Sequence, residues 1–242
     1  SALWQPDGIA AFDHGGITYI ALANEGENLG NNRSMALDPS KVPTETVTAL
    51  QNVAGRVTPQ TFWHLDTTND GLADTIAYSG GRSVSIRTLD GTLIWDSGNQ
   101  IEQMVNTLNL LGANSDRRTR LSIEPENLVV GMIGGQRWLF AGIERGRSIA
   151  AWNISNPYNP LFAGLIYDLS QGDAFAQFEG LTFIHASQSW DGKSYLVASA
   201  EAEGWTHLFQ LAAVPEPGTW GMMVAGFGII GASLRRRRPA EA

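Results

Sequence analysis

At 242 residues, with 43% hydrophobic and 17% charged side chains, the chain has enough apolar surface to bury a core and is too apolar for a disordered polymer. Its formal charge is −8, and without residues 214–242 it holds 12 basic against 22 acidic residues, which excludes nucleic-acid binding by counterion release. There is no cysteine, so disulfides, thiol chemistry and cysteine-based metal sites are excluded too.

The chain opens Ser1-Ala2-Leu3-Trp4, without Met and without a charged-then-apolar leader. Set beside the export-type tail described below, this opening implies that the true N-terminus lies upstream. Glycines (27 in all) among Thr, Ser, Asn and Asp clusters predict short strands punctuated by turns, an all-β fold. The first such unit runs from Pro6-Asp7-Gly8-Ile9 through a turn at His14-Gly15-Gly16 to a second strand ending at Glu25.

The motif of clearest chemistry comes next. Asp66, Thr68, Asp70 and Asp74 place oxygen donors at positions 1, 3, 5 and 9 of a loop whose sixth residue is Gly71, and Leu72 at position 7 offers its carbonyl. This is the front of an EF-hand-like calcium loop, with the glycine for its sharp turn. Thr68 replaces a carboxylate, and Ala77 stands where the bidentate Glu would be. The alternative is an Asx-rich turn that holds no metal. A bound Ca²⁺ would be structural.

A further strand-rich unit follows over residues 74–95, with Asp90-Gly91 as its hairpin turn. Ile101, Met104, Val105 and Leu108 then recur at helical spacing after Asn99 as the cap region, predicting a short helical insertion. Two more units share the grammar of the first. Glu126 leads through Gly134-Gly135 to Glu144, and Glu179 leads through Asp191-Gly192 to Glu201. From first acid to last Glu the three spacings are 18, 18 and 22 residues. About four antiparallel units emerge, and radial repetition of small sheets is the way a propeller protects its strand edges. The expected fold is therefore a partial β-propeller of about four blades with short helical insertions, over a domain of residues 1–212.

In such an arrangement Asp7, Glu126 and Glu179, which open equivalent strands, and Glu25, Glu144 and Glu201, which close them, gather on one face near the axis. Together they would raise one another's pKa or hold a cation. The competing reading has each pair cross-link its own blade, through backbone amides or Arg82, Arg145 and Arg147. His14, His64, His185 and His207 fall in separate units without ligand spacing, and no nucleophile elbow, zincin helix or phosphate loop occurs.

Gly80-Gly81-Arg82-Ser83-Val84-Ser85-Ile86, Ile94-Trp95-Asp96-Ser97-Gly98, Ala23-Asn24-Glu25-Gly26, Glu124-Pro125-Glu126 and Glu179-Gly180-Leu181-Thr182-Phe183 resemble the choice-of-anchor I domain over most of residues 4–211. The resemblance implies a secreted, propeller-like protein that is held at the surface by one of several anchors and is represented here by the C-terminal part of its domain. Two departures stand out: Asn127 replaces the glycine of the family's Pro-Glu-Gly, and Arg117, Arg118 and Arg120 replace the acidic stretch before it.

The tail, residues 213–242, is different in kind. Val214-Pro215-Glu216-Pro217 cannot continue a strand, and residues 220–234 then run without a charge to Arg235, Arg236, Arg237 and Arg238. As a C-terminal apolar helix these 15 residues would rise about 22 Å, short of the ~30 Å hydrocarbon core. The segment suits transient residence in the inner membrane with the arginines cytoplasmic. Pro-Glu-Pro, a short apolar segment and an Arg cluster resemble the PEP-CTERM sorting signal of exopolysaccharide-producing Gram-negative bacteria. That resemblance implies an exosortase-type protease as partner, cleavage near the motif, and delivery to the cell envelope or beyond.

Two functions are compatible with these features. One is a surface or matrix module that binds exopolysaccharide, a surface protein or a cation. The other is a secreted calcium-dependent hydrolase of the phosphatase, phytase or lactonase propeller type.

Overall fold

The computed structural model describes residues 2–26, 37–45, 59–60, 66–75, 77–79, 81–111, 123–167, 177–200 and 204–212. The chain divides into two units, Ser1–Leu211 and Ala212–Ala242. The expected C-terminal helix and the whole sorting motif lie outside the described residues. Among the described residues, no helix is long and apolar enough to cross a membrane.

The first unit is mostly β and contains three antiparallel sheets. In the first, β2 (Pro6–His14) pairs with β3 (Ile17–Asn24), β3 with β6 (Ser83–Thr88), and β6 with β7 (Leu93–Asp96). The second runs β8 (Pro125–Ile133), β9 (Gln136–Ile143), β10 (Ser148–Asn153) and β11 (Leu161–Ile166), and the third β12 (Phe178–Ile184), β13 (Ser194–Ala200) and β14 (Trp205–Leu211). A small mixed sheet joins β1 (Ala2–Leu3), β4 (Pro59–Gln60) and β5 (Ala77–Ser79). The hairpin glycines behave as turn chemistry requires: Gly15 and Gly16, then Gly134 and Gly135, all have φ between +58° and +79°, the left-handed pair of a two-residue hairpin turn.

The expected second unit, residues 74–95, is not a sheet of its own. Its first part joins the small mixed sheet as β5, while β6 and β7 extend the first sheet along the free edge of β3. An isolated two-stranded hairpin is marginal in water, and joining β3 lets Val84 and Ile86 bury completely beside Ala21 and Ala23. The four expected units thus become three antiparallel sheets among the described residues. The expected helix forms as α1 (Gln100–Thr107), with Ile101 and Val105 buried. Asn99 makes no side-chain cap; the Gln100 amide instead donates to the Ser97 carbonyl.

The second sheet has a core on each face. One face packs with the first sheet and α1 around Trp152, Leu139 and Ile143, and the other with the third sheet around Phe178, Leu196 and Phe140. That is why β9 and β10 read as nearly continuous apolar runs rather than alternating ones. Trp152 is fully buried, edge-on to Trp95 at 6.0 Å, and its indole N–H donates to Gln100 Oε1 at 3.1 Å.

The first strands of the sheets lie side by side, β2 against β8 and β8 against β12. Glycine allows the approach. A Cβ on Gly8 would come within 2.5 Å of the Glu126 carbonyl oxygen, and one on Gly142 within 2.5 Å of the Phe178 carbonyl oxygen. Backbone cannot yield there. Gly142→Ala is therefore expected to lose about 1–3 kcal/mol of stability, read as a lower denaturant midpoint, without a change of secondary structure. A midpoint equal to the parent protein's would show that the second and third sheets do not approach this closely.

Candidate functional site

Each of these first strands carries an irregularity at its start. Register shifts fall between Pro6 and Ile9 in β2, Pro125 and Leu128 in β8, and Phe178 and Gly180 in β12. Asp7, Glu126 and Glu179 are the acids within those three irregularities. A bulge re-aims the side chain it contains and ends the strict in-out alternation, so the recurring acid and the recurring irregularity are one feature. Glu25 and Glu144 directly follow β3 and β9, their amides donating to the carbonyls of Gln5 (3.0 Å) and Glu124 (2.9 Å). Gln5 and Glu124 both have positive φ, +44° and +55°. Glu201 lies outside the described residues.

Carboxylates accumulate between the first and second sheets. Glu25, Glu124 and Glu126 each place an oxygen within 4.8 Å of the others. Asp7 hydrogen-bonds Glu126, and Glu124 hydrogen-bonds Glu144. A hydrogen bond between two carboxyls requires a proton on one of them. Burial first, then the Asp7 bond and the charges of Glu25, Asp7 and Glu144, push Glu126 up to about 9. Burial and the Glu124 bond push Glu144 up to about 8, against the opposing charge of Arg145.

Arg145 is the cation of this seam. Its guanidinium meets Glu124 Oε2 at 2.6 Å and Glu144 Oε1 at 2.7 Å, and also donates to Gln177 Oε1 at 3.1 Å. Glu124 and Glu144 are only 4% and 3% exposed, while the Arg145 side chain is 32% exposed, so removing the arginine would strand buried carboxyls. Arg82 pairs with Glu102 at 3.1 Å. Glu179 contributes its charge to the surroundings of Glu144.

Glu124 is the site residue that the repeat pattern passes over. It precedes the repeated acid by two positions, where the other two units have Gln5 and Gln177. The signal was there: the Glu124-Pro125-Glu126 triplet is the only one of the three with acids on both sides of the middle residue.

In the 66–74 loop the side-chain oxygens accept hydrogen bonds from the chain's own donors. The Asp66 carboxylate accepts from the amides of Asp70 (3.2 Å) and Gly71 (2.8 Å), and Asp70 Oδ1 accepts from the Leu72 amide (2.9 Å). Asp74 accepts from the Thr67 amide at 2.8 Å and from the Lys41 ammonium at 2.5 Å. The histidines stay apart. His207 stands edge-on to Phe178 at 5.3 Å, His185 packs on Phe183 at 4.8 Å, His14 ends β2, and His64 is outside the described residues.

The described part is thus a mostly-β protein whose antiparallel sheets meet at a carboxylate-lined seam. The choice-of-anchor I domain family matches residues 1–157, and the chain belongs to that family. The match ends between β10 and β11, short of the span to residue 211 expected above. The PEP-CTERM protein-sorting motif matches residues 213–238. That motif marks an exported protein sorted to the envelope or surface of a Gram-negative bacterium, and it is consistent with processing by an exosortase. No curated protein matches the chain.

The raised carboxyls fix the sign of the pH dependence. Glu126 and Glu144 hold protons in the folded state to higher pH than in the unfolded chain, so the folded state binds more protons and stability falls as pH rises. In chelator, the denaturant midpoint is expected to decline from about pH 4.5 toward pH 8–9, and Glu126→Gln, which keeps the hydrogen bond without the charge, is expected to flatten that decline. Equal slopes for parent and variant would take Glu126 out of the titration.

Proposed function

We propose that this chain is an exported, surface-displayed module of propeller type that works by binding rather than catalysis, and that Glu25, Glu124 and Glu126 hold a divalent cation which ties the first sheet to the second. The observation that carries this reading is the mutual approach of their oxygens to within 4.8 Å. Calcium takes oxygens at about 2.4 Å, so two ligands on opposite sides of the ion stand roughly 4.8 Å apart. An all-oxygen, all-carboxylate donor set favours a hard cation. Ligation also replaces the shared protons at the seam by a charge that repels none of the carboxylates.

The succession β2, β8, β12, each the first strand of its sheet and each laid against the next, supports reading them as inner strands of radially placed blades. The acidic body suits a cation or a neutral glycan, and exopolysaccharide or another surface protein is the proposed partner. In the tail, residues 220–234 would rest transiently in the inner membrane with Arg235, Arg236, Arg237 and Arg238 cytoplasmic. The proline-broken linker at Pro215 and Pro217 then stays open to the exosortase.

Two measurements test this reading. Free Ca²⁺ at a hundred times its dissociation constant should stabilise the folded state by about 2.7 kcal/mol, with a larger response at pH 8 than at pH 6. Glu124→Gln and Glu126→Gln should each reduce that response; a melting temperature that is the same in calcium and in chelator removes the cation from the seam. In an exosortase-bearing host, the mature protein should lack residues beyond roughly Pro217 by intact mass. Recovery of an envelope protein that still carries Arg235, Arg236, Arg237 and Arg238 would replace processing by simple anchoring.

A further inference from the structure

The 66–74 loop has the spacing of a calcium loop, and a lysine from elsewhere in the chain reaches into it. Residues 37–42 lie beside the loop: Leu37 bridges Ala73 in parallel, and the Asp38 amide donates to the Ala73 carbonyl at 2.9 Å. Asp38, 7% exposed, builds the turn that aims the lysine. Its Oδ1 accepts from the Ser40 amide at 2.8 Å and the Ser40 hydroxyl at 2.7 Å, while its carbonyl accepts from the Val42 amide at 2.8 Å. The Lys41 ammonium then stands 2.5 Å from Asp74 Oδ1, 3.3 Å from Thr68 Oγ1 and 3.7 Å from Asp38 Oδ2.

These contacts fall on the third and ninth positions of the calcium pattern. An ammonium has three donors and no acceptor; here it donates to Asp74 and Thr68 and lies within charge-pairing distance of Asp38. The charges respond accordingly. The Lys41 bond, and after it the Thr67 hydroxyl, hold the Asp74 carboxyl well below the usual range, and Asp74 in turn raises the lysine.

We propose that Lys41 is the resident cation of the 66–74 loop, an internal ammonium that occupies the place of a divalent ion and clasps residues 37–42 to residues 66–74 without any metal. The substitution is chemically coherent. A loop with Thr68 at its third position and Ala77 at its twelfth lacks two of the carboxylates that make such loops tight, and a single tethered positive charge pairs with Asp74 while Asp66 and Asp70 accept from backbone amides. The tether also removes the loop's dependence on the calcium level outside the cell. This claim stands apart from the cation proposed at the Glu25, Glu124 and Glu126 seam.

Amide hydrogen exchange of the full-length protein separates the two, because it reads the loop locally. In the parent protein, protection at Thr67, Asp70, Gly71 and Leu72 should be the same in chelator and in about 5 mM Ca²⁺, a level that fills weak extracellular sites. Lys41→Gln should speed exchange at those amides about threefold or more in chelator, and calcium should restore the protection, because the oxygens are then free for it. Lys41→Arg should stay protected in both conditions, and Lys41→Gln with Asp74→Asn should lose the calcium response. Protection that rises with calcium in the parent protein overturns the proposal without any variant. So does Lys41→Gln matching the parent in chelator, or becoming deprotected with no gain from calcium, which leaves an ordinary ion pair. The comparison is made at loop amides that exchange by local opening, well below the global stability, so a calcium ion at the seam, read by the global melting temperature, leaves these outcomes unchanged.

Discussion

The close approach of successive first strands is the constraint on which the rest of the described structure depends. β2 comes near enough to β8 that a methyl group at Gly8 would strike backbone, β12 comes as near to β9 at Gly142, and the two apolar cores lie on either side of the second sheet. Sheets held that near bury their facing residues at native packing density. They also bring together whatever polar groups the ends of those strands carry. The carboxylates at the seam are crowded because the strands are close, and each strand opens on an irregularity that turns an acid out of the regular alternation.

Crowded carboxylates, Glu124 and Glu144 buried and Glu25 and Glu126 half-buried, must be neutralised, and two means are at hand with a third proposed. Protons serve where two carboxyls bond each other, as Asp7 does with Glu126 and Glu124 with Glu144. A fixed guanidinium serves where Arg145 bridges Glu124, Glu144 and Gln177. A cation shared by Glu25, Glu124 and Glu126 is the proposed third. Arginine suits its place, because its planar donor fork meets several acceptors at once and its charge is not lost by deprotonation. The proton is the most easily displaced of the three, which makes the seam responsive to pH. At the 66–74 loop a flexible, compact ammonium does for one carboxylate what the guanidinium does for two at the seam.

Much of this was legible in the chain. Strand-turn-strand repetition, the paired glycines of the hairpins and the helical spacing of Ile101 and Val105 are local properties, set by φ/ψ preference and by the period at which a segment buries one face. The repeated acids were visible because repetition itself is visible. Glu124 is not part of that repetition, because the equivalent position in the other two units is a glutamine, Gln5 and Gln177. Asn99 does stand at the N-cap, its carbonyl accepting from the Gln103 amide, but its side chain makes no cap bond.

By itself, then, the sequence determined a mostly-β body, its hairpins, the helix α1 and the sorting motif, because each is written in neighbouring residues. Only the tertiary structure decided that β6 and β7 complete the first sheet instead of forming another, since strand pairing depends on which free edge lies nearest once the core has collapsed. Only the tertiary structure brought Lys41 to Asp74 across 33 residues and Glu25 to Glu124 across 99. Charge pairing acts through space, and separation along the chain carries no record of it.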